Sequence, residues 1–376
     1  MLARHVLGCA KPKERRLSKL VLTIARIRAR AVDVPLRRVT RTAIGAIPSS
    51  PLVLIDVETR EGVIGRSYLF VYTPLSLKPV VSLVESIGAE LAGETVAPLE
   101  RMRDLDRKFR LLGWQGLIGM AVSGLDMAFW DALGQAAEVP LARLLGAEPR
   151  PIDAYESFGI IDPKAERTEI LGAVERGFRA IKVKLGDGDL ARDVAAVAAL
   201  RDLVGGDVTL MIDYNQAFEP AEACRRLERL AAYDILWVEE PVRADDLAGH
   251  AAVRKGQPIR VQTGENWWFP RGAAAAIAAG ASDFAMFDVT RIGGVTGWLR
   301  AAALADAASL PVSSHSFVEA SAHLLAATPN AHFIEHLDKA SAVLRDPYPP
   351  RDGKITAKGP GLGLAWDEAA VERYAA

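Results

Sequence analysis

The second half of the chain repeats one pattern, and this pattern limits the possible fold more than any other feature. After Pro151, short β-prone runs alternate with alanine-rich segments of helical character. The predicted strands are Ile152–Ser157, Ala180–Lys184, Thr209–Asp213, Ile235–Glu239, Ile259–Thr263, Phe284–Asp288, Leu310–Ser314 and His332–Glu335. Eight such units predict a (β/α) barrel with its active site at the carboxyl ends of the strands. A doubly wound open sheet is the alternative, but no GxGxxG motif follows a predicted strand.

The chain before this repeat has a different pattern. Predicted strands cover Val21–Asp33 and Pro51–Val57, and a turn at Thr59–Gly62 leads into a third strand over Val63–Phe70. The segment Pro35–Ser50 is predicted to be a loop, and its length is typical of a lid over a functional site.

Apolar residues recur at helical spacing from Leu75 to Leu145. The run Ile118–Leu133 is long and apolar enough for a buried helix. Strands followed by helices predict an α+β domain ahead of the barrel.

Composition narrows the classes of function. The chain has 376 residues, half of them hydrophobic, and a formal net charge of -1. This length allows a large core and two domains, while near-neutral charge argues against a nucleic-acid or membrane-surface protein and favours a small-molecule ligand. Two cysteines make a disulfide framework unexpected and fit a reducing cytoplasm. No run reaches 18 uninterrupted apolar residues, and the basic start lacks the apolar core of a secretory signal.

Polar side chains occur where the predicted barrel strands end. They are Lys182, Lys184, Asp213, Asn215, Glu239, Glu240, Glu265, Asp288, His315 and Glu335. From Lys184 onward, one such residue recurs every 20 to 29 positions, which is about one strand-plus-helix unit. In a closed barrel these side chains converge on one mouth.

Lys182 and Lys184 lie two residues apart in an apolar strand, so their ammonium groups face the same side. Two buried lysines repel each other and need anionic partners or a function that uses a lowered pKa. An exposed edge strand with two solvated lysines is the alternative, and the acids at the neighbouring strand ends argue against it.

Three of those acids, Asp213, Glu239 and Glu265, end consecutive strands. Hard oxygen ligands without cysteine or histidine suit Mg²⁺, which keeps its other positions for water or substrate oxygen atoms. Three unrelated surface acids are the alternative, and their serial placement at strand ends favours the metal site.

His315 is the best placed of six histidines, because it ends a strand next to the one that ends in Asp288. A carboxylate on the imidazole ring fixes its tautomer and raises its basicity, so the pair is predicted to be a catalytic base. His336 also ends a strand, but it follows Glu335 directly and should face the opposite way.

Short motifs occur in a fixed order from Leu20 to the end of the chain. They are Pro51-Leu-Val-Leu-Ile-Asp56, Ser67-Tyr-Leu-Phe70, Lys182-Val-Lys184, Ile212-Asp-Tyr-Asn-Gln216, Val238-Glu-Glu-Pro241, Gly264-Glu-Asn-Trp267, Ile292-Gly-Gly-Val-Thr-Gly-Trp298, Ser313-Ser-His315 and Ser321-Ala-His-Leu-Leu-Ala-Ala-Thr328. In this order they resemble the mandelate racemase subgroup of the enolase superfamily. Lys-x-Lys alone is a weak signal, whereas the ordered set is highly specific.

The resemblance implies an α/β fold in which an N-terminal α+β capping domain lies over a modified (β/α)₇β, TIM-like barrel. The expected divisions are a loose extension over residues 1–19, a cap over 20–148, a barrel over 149–345 and a tail over 346–376 that returns to the cap. The implied chemistry is removal of the proton α to a carboxylate, which gives a metal-stabilised enediolate.

The resemblance also implies roles for individual residues. The Mg²⁺ ligands match Asp213, Glu239 and Glu265. Lys184 matches the base on one face of the substrate, and His315, paired with Asp288, matches the base on the other face. The metal and Lys182 are expected to lower the pKa of Lys184 into a usable range.

Lys182 matches the contact to the substrate carboxylate, and a protonated Glu335 matches the acid that hydrogen-bonds it. Further substrate contacts are predicted at Asn215, Ser157, Tyr68, Thr40, Ile44 and Ile47. Oligomers such as an octamer or a dimer are expected from the resemblance alone.

Several positions depart from the pattern. The segment Leu36–Ile47 is more basic and more polar than an aliphatic pocket for a phenyl ring, Arg291 replaces an expected lysine, and Phe158 replaces an expected histidine. Three hypotheses follow. They are a racemase of mandelate or a similar 2-hydroxy acid, an acid-sugar dehydratase giving a 2-keto-3-deoxy acid, and a non-catalytic carboxylate-binding relative.

Overall fold

The start of the described chain forms a three-stranded antiparallel sheet. The computed structural model describes residues 21–43 and 45–376, so the predicted extension over residues 1–19 lies outside the described part. Strands β1 (Ile24–Thr42), β2 (Gly45–Thr59) and β3 (Ile64–Phe70) pair in that order. Their β-branched residues alternate with polar ones, which gives the sheet one face for a core.

The predicted loop over Pro35–Ser50 is wrong. β1 continues to Thr42 and β2 begins at Gly45, so this segment is the end of a long hairpin. Val34 pairs with Ser50, and after a register irregularity Thr40 pairs with Ile47. A two-stranded ribbon that projects beyond the core needs no continuous apolar face, and this part of the sequence therefore carries little strand signal.

Helices cover one face of this sheet. In chain order the helices of the cap are α1 (Leu77–Leu91), α2 (Pro98–Phe109), α3 (Leu117–Ala137) and α4 (Leu141–Leu144). α1 and α3 pack on the sheet, and α2 and α4 pack against α3. α3 confirms the predicted buried helix and packs directly on β3. A Cβ atom on Gly65 would lie 2.1 Å from the Ala128 carbonyl oxygen, so glycine permits this close approach.

By length and composition, α3 is also the only described helix that could cross a membrane. Of its most apolar stretch, 78% is buried inside the protein. This burial is typical of the core helix of a folded domain.

Eight parallel strands form the barrel, and helices separate them in the chain. In order the elements are β4 (Ile152–Ser157), α5 (Arg167–Glu175), β5 (Ala180–Lys184), α6 (Leu190–Val204), β6 (Thr209–Asp213), α7 (Pro220–Leu230), β7 (Ile235–Glu239), α8 (Leu247–Gly256), β8 (Arg260–Thr263), α9 (Phe269–Ala279), β9 (Phe284–Phe287), α10 (Gly294–Ala307), β10 (Val312–Ser314), α11 (Val318–Ala326) and β11 (Ala331–His336). Each strand pairs with the next, and β11 pairs with β4 to close the ring. The predicted barrel is confirmed.

The barrel interior is filled rather than open. Large side chains from alternate strand positions pack there, namely Tyr155, Met211, Trp237, Phe284 and Met286. This packed floor closes the barrel below the polar strand ends at the mouth.

The tail returns from the barrel to the cap. A short strand, β12 (Lys354–Ile355), pairs with β4, and the chain ends with α12 (Glu368–Arg373). The Trp366 indole N–H donates to Asp56 of β2 at 2.8 Å. The carboxylate of Asp131 in α3 accepts the Arg66 N–H at 2.7 Å and the Leu362 N–H at 2.6 Å.

We expect Asp131→Asn to destabilise the fold. The carboxylate accepts one backbone N–H on each oxygen, and an amide would turn its NH₂ group toward one of these donors. A buried unsatisfied donor costs about 1–3 kcal/mol, which urea unfolding will detect. Asp207→Asn, at an exposed turn, is the matched control. Equal unfolding free energies for the two variants would show that Asp131 does not hold the tail on the cap.

Candidate active site

The carboxyl ends of the barrel strands bring the predicted polar residues together in one buried layer. Lys182 lies at its centre and is fully buried. Its Nζ donates to both carboxylate oxygens of Glu239, at 2.8 and 2.7 Å, and lies 2.7 Å from Glu335 Oε1. Burial lowers the pKa of Lys182, but Glu239 and Glu335 outweigh burial and raise it well above its ordinary value. The residue is therefore a fixed cation.

Lys184 projects from the same strand and binds Asp213 Oδ2. Burial lowers the pKa of Lys184 and Asp213 raises it, with a net shift upward. Lys182 does lower the pKa, as expected, but by less than the acids raise it. The predicted lowering of the pKa of Lys184, which included the effect of the metal, stays a prediction, and in this arrangement Asp213 is turned toward the ammonium group.

Glu335 is ionised in this arrangement, and the protonated form expected against the developing negative charge of a substrate stays a prediction. Lys182 and His315 hold the pKa of Glu335 well below its usual range, although burial alone would raise it. Glu335 Oε2 accepts the Ser316 N–H at 3.0 Å. The carboxylate is thus held between a cation and a backbone donor.

His315 and Asp288 form the predicted pair. His315 Nδ1 lies 2.6 Å from Asp288 Oδ2, and the other Asp288 oxygen accepts the N–H and O–H of Thr290 at 2.7 and 2.6 Å. His315 Nε2 is left facing the mouth, 3.3 Å from Glu265 Oε2. Burial lowers the pKa of His315, but Glu265, Asp288 and Glu335 together raise it to about 9.

The backbone at this mouth is strained in several places. Non-glycine residues with positive φ follow the strand ends, namely Asn215 (43°), Gln216 (66°), Glu240 (37°), Ser316 (50°) and Phe317 (48°). Left-handed conformations of this kind persist where surrounding contacts hold them, and they turn the chain sharply so that polar groups face the mouth.

The three acids predicted as metal ligands are buried at neighbouring strand ends. Burial raises the pKa of Glu239 above its ordinary value and Lys182 opposes this shift, while Asp213 and Glu265 add to it, so the three acids are close enough to interact. Two of them face lysines, and no group of three histidine, cysteine or acidic side chains in residues 21–43 and 45–376 converges as a metal site. Their oxygen donors fit Mg²⁺ in type and place, once Asp213 and Glu239 turn from the lysines.

Two predicted substrate contacts have unused polar atoms. Ser157 Oγ and Asn215 Oδ1 are buried and find no hydrogen-bond partner among the described residues. Asn215 donates its side-chain amide to Asp213 Oδ2 at 3.0 Å, which leaves its carbonyl oxygen available. Both atoms are thus available to a ligand at the mouth.

The remaining predicted contacts come from the cap. Thr40 is buried and Ile47 is partly buried across the hairpin from it. The Tyr68 hydroxyl donates to Glu319 at 2.6 Å, and its ring lies 5.2 Å from the ring of Phe317. Ile44 lies outside the described residues.

The hairpin rests on the rim of the barrel. The Ile160 N–H donates to the Arg41 carbonyl at 2.8 Å, and the Arg38 guanidinium lies 4.3 Å above the Phe158 ring. Phe158, which departs from the expected histidine, is therefore a platform for a cation of the cap.

Arg291 and His336 have partners near the mouth. Arg291 donates to the Glu265 carbonyl at 3.2 Å and to Asn266 Oδ1, so it anchors the loop that carries Glu265. His336 Nδ1 lies 2.9 Å from Glu156 and not beside the acids bound by Lys182.

Sequence reasoning missed Lys339 and the role of Glu240. Glu240 accepts from Gln216 at 2.9 Å and from Asn266 at 2.7 and 2.8 Å. Lys339 is buried three residues beyond the end of β11. The sequence prediction considered only polar residues at or directly after the end of each strand. It therefore contained no signal for a lysine farther along the following loop.

Two family models match the chain. Residues 165–370 match the enolase C-terminal domain-like family, and residues 24–146 match the N-terminal domain of the mandelate racemase / muconate lactonizing enzyme family. A solved enolase from Bradyrhizobium, complexed with magnesium and mandelic acid, is 59% identical with a TM-score of 0.93. The similarity covers 95% of this chain and 99% of that one.

More distant relatives carry other names. The 3,6-anhydro-alpha-L-galactonate cycloisomerase of Streptomyces coelicolor is 30% identical over 94% of this chain and 99% of its own length. The L-talarate/galactarate dehydratase of Salmonella typhimurium is 27% identical over 85% of this chain and 81% of its own length. The names of these relatives therefore indicate more than one reaction.

We expect Lys182→Met to destabilise the protein strongly. Removal of the ammonium group leaves Glu239 and Glu335 buried without their cation, and breaking a buried pair in this way costs about 3–5 kcal/mol. Denaturant unfolding measures the loss. Lys354→Met is the control, because Lys354 pairs with Asp153 at the surface, where an ion pair is worth about 0–1 kcal/mol. Similar midpoints for both variants would contradict a central role for Lys182.

Proposed function

This chain belongs to the mandelate racemase / muconate lactonizing enzyme family of the enolase superfamily, and on that premise we propose that it removes the α-proton of a 2-hydroxy carboxylate. We further propose racemisation of mandelate or a similar 2-hydroxy acid as the overall reaction. Mg²⁺ is the proposed cofactor, and neighbours in this family are crystallised with it. The expected octamer or dimer stays a prediction.

One observation carries this proposal, namely two candidate bases on either side of a fixed cation. Lys184 ends β5, and His315 follows β10, with β11 and β4 between these strands in the ring. Lys182 and Glu335 lie between the two bases. A carboxylate bound at Lys182 would present its α-carbon to one base on each face.

Mg²⁺ would be held by Asp213, Glu239 and Glu265. When bound, it supplies positive charge that replaces the lysine ammonium groups as partner of these acids and stabilises negative charge on substrate oxygen.

The protein residues move the proton. Neutral Lys184 takes the α-proton at Nζ, and His315 returns a proton from Nε2 to the opposite face of the same carbon. In the reverse direction the two groups exchange these roles. Lys182 meets the charge that develops on the substrate carboxylate, and Asp288 holds the imidazole with Nε2 toward the mouth.

Asn215 and Ser157 are proposed to position the substrate. Their unused oxygen atoms lie buried at the mouth and suit the α-hydroxyl group and a further polar contact. The mandelic acid in the Bradyrhizobium neighbour, at 59% identity, supports an aryl 2-hydroxy acid for this site.

A second candidate is dehydration of an acid sugar. The polar hairpin over the mouth favours it, with Arg38 and Thr40 facing the same cavity. The relatives of Salmonella and Streptomyces also have sugar-acid names. In this reaction His315 would donate its proton to the departing 3-hydroxyl group.

Proton NMR in D₂O separates these reactions. We expect the purified protein with Mg²⁺ to remove the α-proton signal of mandelate and to abolish its optical rotation, and EDTA to stop both changes. Aldonic and aldaric acids are offered in parallel. A 2-keto-3-deoxy product from one of them, with mandelate unchanged, would replace the racemase by the dehydratase.

Two variants test the assignment of the bases. Lys184→Ala should slow α-proton exchange from one enantiomer by about 10² to 10⁴-fold, and His315→Asn should slow exchange from the other. The reason is that each base reaches only one face of the carbon. Equal losses for both enantiomers in each variant would contradict the two-base assignment. Circular dichroism of the variants checks that each is folded.

A further inference from the structure

Lys339 is a buried lysine to which no proposed step yet gives a role. It follows β11 in the chain and is only 6% exposed. Its Nζ lies 4.2 Å from the centroid of the Phe70 ring, on β3 of the cap. The side chain therefore lies where the cap covers the barrel mouth.

No acid in the described part of the chain forms an ion pair with this ammonium group. The adjacent carboxylate of Asp338 accepts the Ser341 N–H at 3.0 Å instead. Glu335, four residues earlier, is bound by Lys182 at 2.7 Å. Both nearby acids in the sequence are thus engaged elsewhere.

The Phe70 ring alone does not compensate for burial of the charge. A cation over an aromatic ring gains less free energy than the burial of an ammonium group costs. Burial lowers the pKa of Lys339 to about 8, and Lys184 adds to the effect while Glu335 opposes it. An external partner with negative charge or a lone pair would stabilise the group.

Lys339 also lines a cavity that an external partner can occupy. The cavity has a volume of about 710 Å³ and lies between the hairpin and the barrel rim. Thr40, Ser157 and Phe158 line it too, and the first two are proposed substrate contacts. Arg38 adds a second cation, already stacked on Phe158.

We propose that Lys339 determines specificity by binding an oxygen atom on the substituent of the substrate, the part remote from the reacting carboxylate. The assignment rests on the proposed function, in which Lys182 and Glu335 hold the carboxylate in the polar layer at the strand ends. Lys339 lies on the cap side of that layer, where the substituent must project. The substrate class is therefore a 2-hydroxy acid with an oxygen acceptor on its substituent, either on an aryl ring or along a polyhydroxy chain.

Calorimetric binding to the Mg²⁺-loaded protein tests this assignment. The ligands are mandelate, 4-hydroxymandelate, which adds one oxygen to the ring, and galactarate, which carries its oxygen atoms on an open chain. The readout is the ratio of Kd for mandelate to Kd for each oxygen-bearing ligand. The variants are Lys339→Met, which keeps the length of the side chain, and Lys78→Met, the same change at an exposed lysine of α1.

We expect at least one of the two ratios to exceed ten in the wild-type protein and to fall at least tenfold in Lys339→Met, with no change in Lys78→Met. The ligand that shows this fall identifies the ring or the chain as the source of the oxygen. Equal weakening of all three ligands, no fall in either ratio, or no binding of any ligand would overturn the proposal.

The same ligands separate this proposal from the proposed function. α-Proton exchange in D₂O reports the reaction, whereas the binding ratio reports Lys339. A ratio that depends on Lys339 without exchange or dehydration of any ligand would leave the specificity assignment in place and reject the proposed reaction. Unfolding midpoints of both variants confirm that the folded protein is measured.

Discussion

The buried ammonium group of Lys182 is the interaction on which the rest of the site depends. Lys182 is on β5, and its ammonium group binds Glu239 at the end of β7 and Glu335 near the end of β11. It therefore connects strands on different sides of the ring. Without it, several carboxylates would repel one another in a layer closed below by Trp237 and Met286. Because a charge in such a place is stable only with its partners, the network specifies where each strand must end.

Several acids around Lys182 are bound by lysine ammonium groups. Lys184 binds Asp213, and Glu335 is charged between Lys182 and the Ser316 N–H. These pairings raise the pKa of Lys184 and lower the pKa of Glu335, so they stabilise a charged lysine and a charged carboxylate. The proposed reaction needs a neutral Lys184 instead. A ligand that enters the mouth must therefore replace these pairings, which links binding to the protonation of both proposed bases.

The barrel strands are proposed to carry the chemistry, and the less rigid hairpin and the loop after β11 to recognise the substrate. The proposed chemical groups stand on strands, or directly after strands, that have paired neighbours on both sides, which keeps their geometry fixed. The groups proposed to recognise the substituent come from the hairpin and from the loop after β11. Such segments can change in sequence without disturbing the barrel.

The sequence alone determined the barrel and the order of polar residues around its mouth. The predicted strands Ile152–Ser157 and Ala180–Lys184 match the structure, because short apolar runs between helices leave little choice of register. The tertiary structure alone decided that Pro35–Ser50 is a hairpin, that Asp213 faces Lys184, and that Lys339 is buried. These features depend on contacts between residues far apart in the chain. The periodicity of the sequence indicates which residues face the same side of a strand or helix. It does not indicate which charged side chains will be buried next to one another.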